Sequence, residues 1–245
     1  MEPSGPASPM TPGRLRLLAR LVAAEFAGPP FRGAERLLRH GIGIPWTAAM
    51  WARWQVEGIT GASAPLYSSR LTLLDTAART APREGEWFEF GVYRGESLRL
   101  LAGISPGRVY GFDSFEGLPE RWTHDMGKGH FSTDGELPAV PPNVVLVKGW
   151  FSETVPAFLV EHPGATVGFL HIDCDLYRSA RAVLQALRGR VRAGTVVVFD
   201  EYTGPYPDDE SRAFREFLRS ERLAARPLGC SGTGSVAFRL QPARA

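Results

Sequence analysis

The chain is 245 residues long, 44% hydrophobic and 22% charged, with a formal net charge of +2. That length permits one large domain, or a domain with a small appendage, around a full core. The near-neutral balance and the lack of a basic patch with interleaved aromatics argue against nucleic acid as the main partner. The two cysteines, Cys174 and Cys230, stand outside any C-x-x-C or His/Cys cluster, which argues against a disulfide framework or structural zinc.

Residues 1–14 hold four prolines among small polar residues and predict a disordered N-terminus. The apolar stretch Leu15 to Phe26 is interrupted by Arg16, Arg20 and Glu25, so it reads neither as a signal-peptide core nor as a membrane span. The expectation is a soluble, cytoplasmic protein with no membrane partner. From Leu15 to about Arg39, apolar residues recur at three- and four-residue steps, which predicts one or two amphipathic helices broken near Pro29-Pro30. Trp46, Trp51 and Trp54 make the next segment aromatic, a patch suited to docking on the main domain and one contact for a homodimer. Tyr67 to Ala78 reads as a further helix capped by Ser68 or Ser69. Residues 15–84 are thus expected to form a helical extension.

From Gly85 the pattern changes to alternating strands and helices, giving a domain over residues 85–245. The expected strands are Trp87 to Val92, Arg108 to Asp113, Val144 to Lys148, Thr166 to Asp173 and Thr195 to Asp200. Helices fall between most of them, at Glu96 to Ala102, Glu153 to Glu161, Ser179 to Val191 and Asp209 to Ser220. Such alternation implies parallel strands joined by right-handed crossovers, with helices on both faces. Leu223 to Leu228 and Ser235 to Leu240 are β-like runs with no helix between them, so they close the sheet as a hairpin whose last strand is antiparallel.

The first strand turns into the first helix through Glu89-Phe90-Gly91-Val92-Tyr93-Arg94-Gly95-Glu96-Ser97, where glycines allow tight turning and close approach of a ligand. Ser97 stands where a dinucleotide fingerprint has its third glycine. Asp113, at the end of the second strand, is placed to take two ribose hydroxyls or to cap the loop at Ser114. Together these describe a nucleoside site. S-adenosylmethionine is favoured over a dinucleotide because Glu89 can face a methionine ammonium group or orient the loop. A parallel sheet with one antiparallel strand is also the usual architecture of methyltransferases that use it.

Two further strand ends are acidic. His171-Ile172-Asp173-Cys174-Asp175-Leu176-Tyr177 follows one apolar run, and Asp200-Glu201 follows another. Ligands of open α/β sheets bind beyond the carboxyl ends of strands, so these carboxylates pool as a divalent-cation site. His171 is read as packed beneath the site in preference to a catalytic imidazole, Cys174 as a core filler and Tyr177 as packing or cofactor contact, while a cover for the cofactor is the lesser reading of Tyr67 and Arg70. The Gly-rich stretch 126–131 is read as a lid over the acceptor or a plain surface loop.

With those residues in hand, the chain resembles the macrocin O-methyltransferase (TylF-like) family. The matching stretches are Glu89 to Gly95, Gly111 to Pro119, Lys148-Gly149-Trp150-Phe151, His171 to Tyr177 and Phe199-Asp200-Glu201-Tyr202. The resemblance implies a class I methyltransferase (Rossmann-like) α/β fold, S-adenosylmethionine as donor, and a divalent cation, usually magnesium. Carried over by motif, Asp173, Asp200 and Glu201 are the metal ligands and Asp175 is the general base. Glu89, Gly91, Tyr93, Arg94, Gly95, Ser97, Asp113, Ser114, Trp150 and Asp173 line the cofactor. Glu201 stands where some relatives carry aspartate, one methylene shorter.

The implied reaction is methylation of a sugar hydroxyl on a small glycosylated natural product in antibiotic biosynthesis. Such a hydroxyl ionises far above neutral pH, so a carboxylate base alone is poorly matched to it, whereas a magnesium ion lowers that barrier as a Lewis acid. Hard oxygen ligands suit this ion. The alternatives are a catechol or other phenol as acceptor, a non-catalytic S-adenosylmethionine-binding module and, more distantly, an NAD-dependent oxidoreductase.

Overall fold

Strand β5 (Val167–Ile172) is buried along its whole length, as expected of a strand covered on both faces. It lies between β2 (Glu86–Phe90) and β6 (Val191–Phe199), parallel to each. The structure, a computed structural model, describes residues 65–67, 69–203 and 209–243. The expected disordered terminus, the helices and tryptophans before residue 65 and the Ser68 cap lie outside the described residues.

The other strands are β1 (Leu66–Tyr67), β3 (Val109–Asp113), β4 (Val144–Lys148), β7 (Leu223–Ser231) and β8 (Val236–Pro242). They form one sheet in the order β1-β7-β8-β6-β5-β2-β3-β4. Only β8 runs against its neighbours, β6 and β7, so the antiparallel last strand is as expected. It inserts between them, and β7 lies outside it.

The helices are α1 (Arg70–Ala78), α2 (Glu96–Ala102), α3 (Phe151–Glu161), α4 (Tyr177–Ala186) and α5 (Asp209–Glu221). Strand alternation sends Phe88, Phe90, Leu170, Ile172, Val197 and Phe199 to one core, closed by Phe158, Val183 and Phe214 from α3, α4 and α5. Trp87, Phe169, Val196 and Val198 face the other, closed by Leu73 and Leu74 of α1 and Leu98 and Leu101 of α2.

Two elements differ from expectation. Tyr67 is not helical: Leu66 and Tyr67 pair with Cys230 and Ser231 at the sheet edge. The helix begins at Arg70 because Ser69, in extended conformation, caps it by accepting the Thr72 amide. Hence β1 and α1, within the segment expected as an extension, lie on the sheet. Helix α4 ends at Ala186, and β6 starts early at Val191, paired with Val167. Gly189, with φ of 69°, turns the chain between them.

The stretch between β3 and β4 folds back on itself through Leu118 N to His130 O (2.9 Å) and Gly129 N to Leu118 O (2.9 Å). Gly117 is required there, since a Cβ on its positive-φ backbone would meet His130 O at 2.3 Å. Leu118 and Trp122, with Met126, pack on Leu176, the residue after Asp175. The expected lid or loop is therefore docked against the acidic turn that follows β5. No described helix is long and apolar enough to cross a membrane.

Candidate active site

Three strand ends meet at the carboxyl edge of the sheet. Gly91 leaves β2 with φ of 92°, and a Cβ there would lie 1.7 Å from the Asp173 carbonyl oxygen. Only glycine fits, and its absence of a side chain brings the glycine turn directly against the first acidic turn. Asp173 extends β5 by one bond, its amide donating to Phe90 O at 2.9 Å, and Asp200 extends β6 likewise through Ile172 O at 3.0 Å.

Beyond these last sheet bonds the carboxylates converge. One carboxylate oxygen each from Asp173, Asp175 and Glu201 lie within 4.8 Å of one another. Asp175 is mostly buried and holds φ of 63°, a left-handed conformation uncommon outside glycine and a frequent mark of functional turns. Glu201 Oε2 is buried with no hydrogen-bond partner among the described residues. An orphaned carboxylate oxygen beside two further carboxylates has the donor chemistry of a hard divalent cation.

Asp200 is engaged differently. Its Oδ2 accepts from Arg70 Nη1 at 3.1 Å and its Oδ1 from Ser235 Oγ at 3.0 Å. Arg70 also reaches Asp173 Oδ2 at 3.6 Å and Glu96 Oε2 at 3.3 Å. The acidic pocket strengthens the guanidinium's hold on its proton, Asp200 being the largest cause.

Burial and the Asp200 charge push Asp173 up to about 7. Burial first, then the charges of neighbouring carboxylates, raises Asp175 and Glu201 well above the ordinary range. A carboxyl group raised to about 7, as Asp173 is, exchanges its proton near neutrality.

Beneath the site, Glu89 is fully buried, accepting from Ser97 Oγ at 3.0 Å and standing 3.1 Å from His171 Nδ1. Glu89 therefore links β2 to α2 through Ser97 and to β5 through His171. Burial alone would lower the His171 pKa, but the Glu89 hydrogen bond and charge reverse it, and the net shift is upward.

Asp113 Oδ2 accepts from the amides of Val92 and Tyr93, both at 2.8 Å, and Oδ1 accepts from Phe115 N at 2.8 Å. It thus ties the glycine turn to the loop after β3, and Oδ1, with one bond, keeps acceptor capacity for a ribose hydroxyl. Gly95 precedes α2 in left-handed conformation, and Arg94 lies 5.1 Å over the exposed Tyr93 ring. Ser114 is buried, its Oγ accepting from Glu116 N, and Trp150 precedes α3 just past the end of β4. Tyr177 donates to Glu216 at 2.6 Å, a packing contact between α4 and α5. Cys174 joins the core.

Two participants escape a reading of the sequence. Ser235 carries no local signal. Glu210 reads as an acidic residue favouring a helix start, and nothing in its neighbours says that it is buried beneath both acidic turns.

A mostly parallel sheet with one antiparallel strand, a glycine turn after its central strand and acidic ends on the next two define a class I methyltransferase fold. The chain belongs to the macrocin-O-methyltransferase (TylF) family, whose pattern matches residues 66–239. It is similar to the 8-demethyl-8-(2,3-dimethoxy-alpha-L-rhamnosyl)-tetracenomycin-C 4'-O-methyltransferase of Streptomyces olivaceus, at 27% identity over 147 residues, 48% of this chain and 53% of that one. It is similar to the demethyldecarbamoylnovobiocin O-methyltransferase of Streptomyces niveus at the same identity and coverage. The chain spans about half the length of these two relatives. Among solved structures, a calicheamicin methyltransferase superposes with a TM-score of 0.55 at 24% identity, covering 97% of this chain and 99% of that one. The O-methyltransferase NovP superposes at 0.53 and 20% identity, covering 71% and 80%. At these identities the structural likeness speaks for the fold.

Proposed function

We propose that the protein is an S-adenosylmethionine-dependent, divalent-metal-dependent O-methyltransferase acting on a sugar hydroxyl of a glycosylated small molecule. The observation that carries this reading is the convergence of Asp173, Asp175 and the orphaned Glu201 oxygen beside the Gly91 turn. Membership of the family and the rhamnosyl-bearing acceptor in the name of one relative support the acceptor class.

In this reading Asp173 and Glu201 hold the cation, and Asp200 is the third ligand. Asp200 Oδ2 is occupied by Arg70, so its ligation requires the guanidinium to withdraw. When bound, the cation supplies Lewis acidity and a fixed place for the acceptor oxygen. Asp175 takes the hydroxyl proton: its carboxylate lies within 4.8 Å of the Asp173 and Glu201 ligand atoms, and burial with the neighbouring carboxylates raises its proton affinity above that of an ordinary aspartate.

The donor, when bound, supplies a methyl group on a positively charged sulfur. Residues Gly91 to Gly95 give it a backbone lining, Tyr93 and Arg94 an exposed rim, and Asp113 Oδ1 a ribose contact. Ser114 and Trp150 stand at the ends of the neighbouring strands. Glu89 and Ser97 act from beneath, fixing the turn.

Asp173→Ala and Asp200→Ala test the assignment. Each should abolish transfer while adenosylhomocysteine, measured by calorimetry, still binds. Undiminished transfer in both variants would remove these carboxylates from the catalytic machinery, and a wild-type protein that binds adenosylhomocysteine but transfers to no acceptor would leave a non-catalytic binding module as the reading.

A further inference from the structure

We propose that Glu210 is the positioning residue that sets the spacing between the two acidic turns. The inference deepens the reading above, since it rests on those turns carrying the metal ligands and the base.

Glu210 lies in the first turn of α5 with no exposed surface. Its Oε1 accepts from the amides of Cys174 (3.0 Å) and Asp175 (3.2 Å), and its Oε2 accepts from the amide of Glu201 (3.3 Å). Those amides belong to different strand ends. Strands β5 and β6 are paired as far as Ile172 and Phe199, and Asp200 N to Ile172 O is the last rung. Beyond that rung the one carboxylate clasps both turns. On one side it holds Asp175 in its left-handed conformation, and on the other it holds the residue that carries the orphaned Glu201 oxygen.

A carboxylate near a helix start is ordinarily a surface partner of the helix dipole and tolerates exchange. Glu210 is different because N–H donors approach both of its oxygens. Glutamine has the same shape but only one acceptor atom. If its oxygen keeps Cys174 and Asp175, its amide nitrogen meets the Glu201 N–H, donor against donor. Glu210→Gln therefore releases the β6 turn while keeping the volume, and Glu210→Asp keeps the charge but shortens the reach by one methylene.

The test uses the full chain as wild type, Glu210→Gln and Glu210→Asp. Amide hydrogen exchange is followed in metal-free protein, Mn2+ and adenosylhomocysteine affinities by calorimetry, and kcat and KM with S-adenosylmethionine. In Glu210→Gln, protection should fall at Glu201 and persist at Cys174 and Asp175. Mn2+ affinity and kcat should drop roughly 10- to 100-fold in both variants, as for other residues that orient metal ligands. Adenosylhomocysteine affinity and the KM for the donor should stay at wild-type values.

Folded variants with wild-type Mn2+ affinity and kcat would overturn the proposal. So would a parallel loss of adenosylhomocysteine affinity, or failure of both variants to fold, because each marks a general structural role. A wild-type protein that binds no Mn2+ instead overturns the metal reading, and the exchange pattern then decides alone whether Glu210 ties the turns.

Discussion

Arg70 Nη1 donates to Asp200 Oδ2 at 3.1 Å and stands 3.6 Å from Asp173 Oδ2, so a side chain from α1 bridges the ends of β5 and β6. A fixed positive charge already neutralises part of the negative pocket that a divalent cation would enter. Arg70→Gln should raise Mg2+ affinity on the order of tenfold at low salt, through removal of like-charge repulsion. Calorimetric titration of wild type and variant checks this, and equal affinities would mean that the guanidinium and the ion do not compete.

Protons compete for the same oxygens. Asp173 holds its proton up to about pH 7 in the folded chain, against an ordinary value of 3.8. Between those limits the folded state binds a proton that the unfolded state has released. Metal-free stability therefore falls as pH rises through this window. Metal binding needs the ionised carboxylate, so Mn2+ affinity should climb with pH towards neutrality and level off above it. Thermal melts and titrations on either side of neutrality read both trends, and an affinity that is flat with pH would remove Asp173 from the ligand set.

Gly91 is a steric requirement. An alanine Cβ would sit 1.7 Å from Asp173 O on a backbone with φ of 92°, so Gly91→Ala should cost about 3 kcal/mol or more, or prevent folding. Gly107 and Gly164 have nothing within 4 Å of the corresponding position, and alanine there should be nearly neutral. Urea midpoints for the three variants make the comparison.

The buried Glu89 and His171 pair should behave as a unit. Truncating either alone removes the contact that each buried partner makes with the other, although Glu89 keeps Ser97, a loss of about 3–5 kcal/mol. The double truncation should cost clearly less than the sum of the two. Strict additivity in a double-mutant cycle would show that the 3.1 Å contact contributes nothing.

The succession of strands and helices along the chain and the acidic strand ends were legible because they depend on local pattern. Val167 to Ile172 and Val196 to Phe199 are apolar runs that stop at carboxylates, and Gly91 and Gly95 mark a turn by type alone. What lay hidden depends on contacts distant in sequence. Arg70 meets Asp200 across 130 positions and Glu210 meets Asp175 across 35. Neither has a periodicity to betray it. Leu66 and Tyr67 joined the sheet through a partner at Cys230 and Ser231, whereas their own composition was equally compatible with the start of the following helix. The fate of Asp113, tied to three backbone amides, was likewise open until the turn around it was formed.

The proposed reaction is transfer of a methyl group to a sugar hydroxyl at a metal-assisted site. The most direct measurement is transfer of label from methyl-labelled S-adenosylmethionine to a panel of deoxysugar-bearing and catechol acceptors, with Mg2+ or with a chelator. Label is expected on a sugar hydroxyl, lost with the chelator and in Asp173→Ala. Label on catechols alone, or transfer to the sugar undiminished by the chelator, would contradict it.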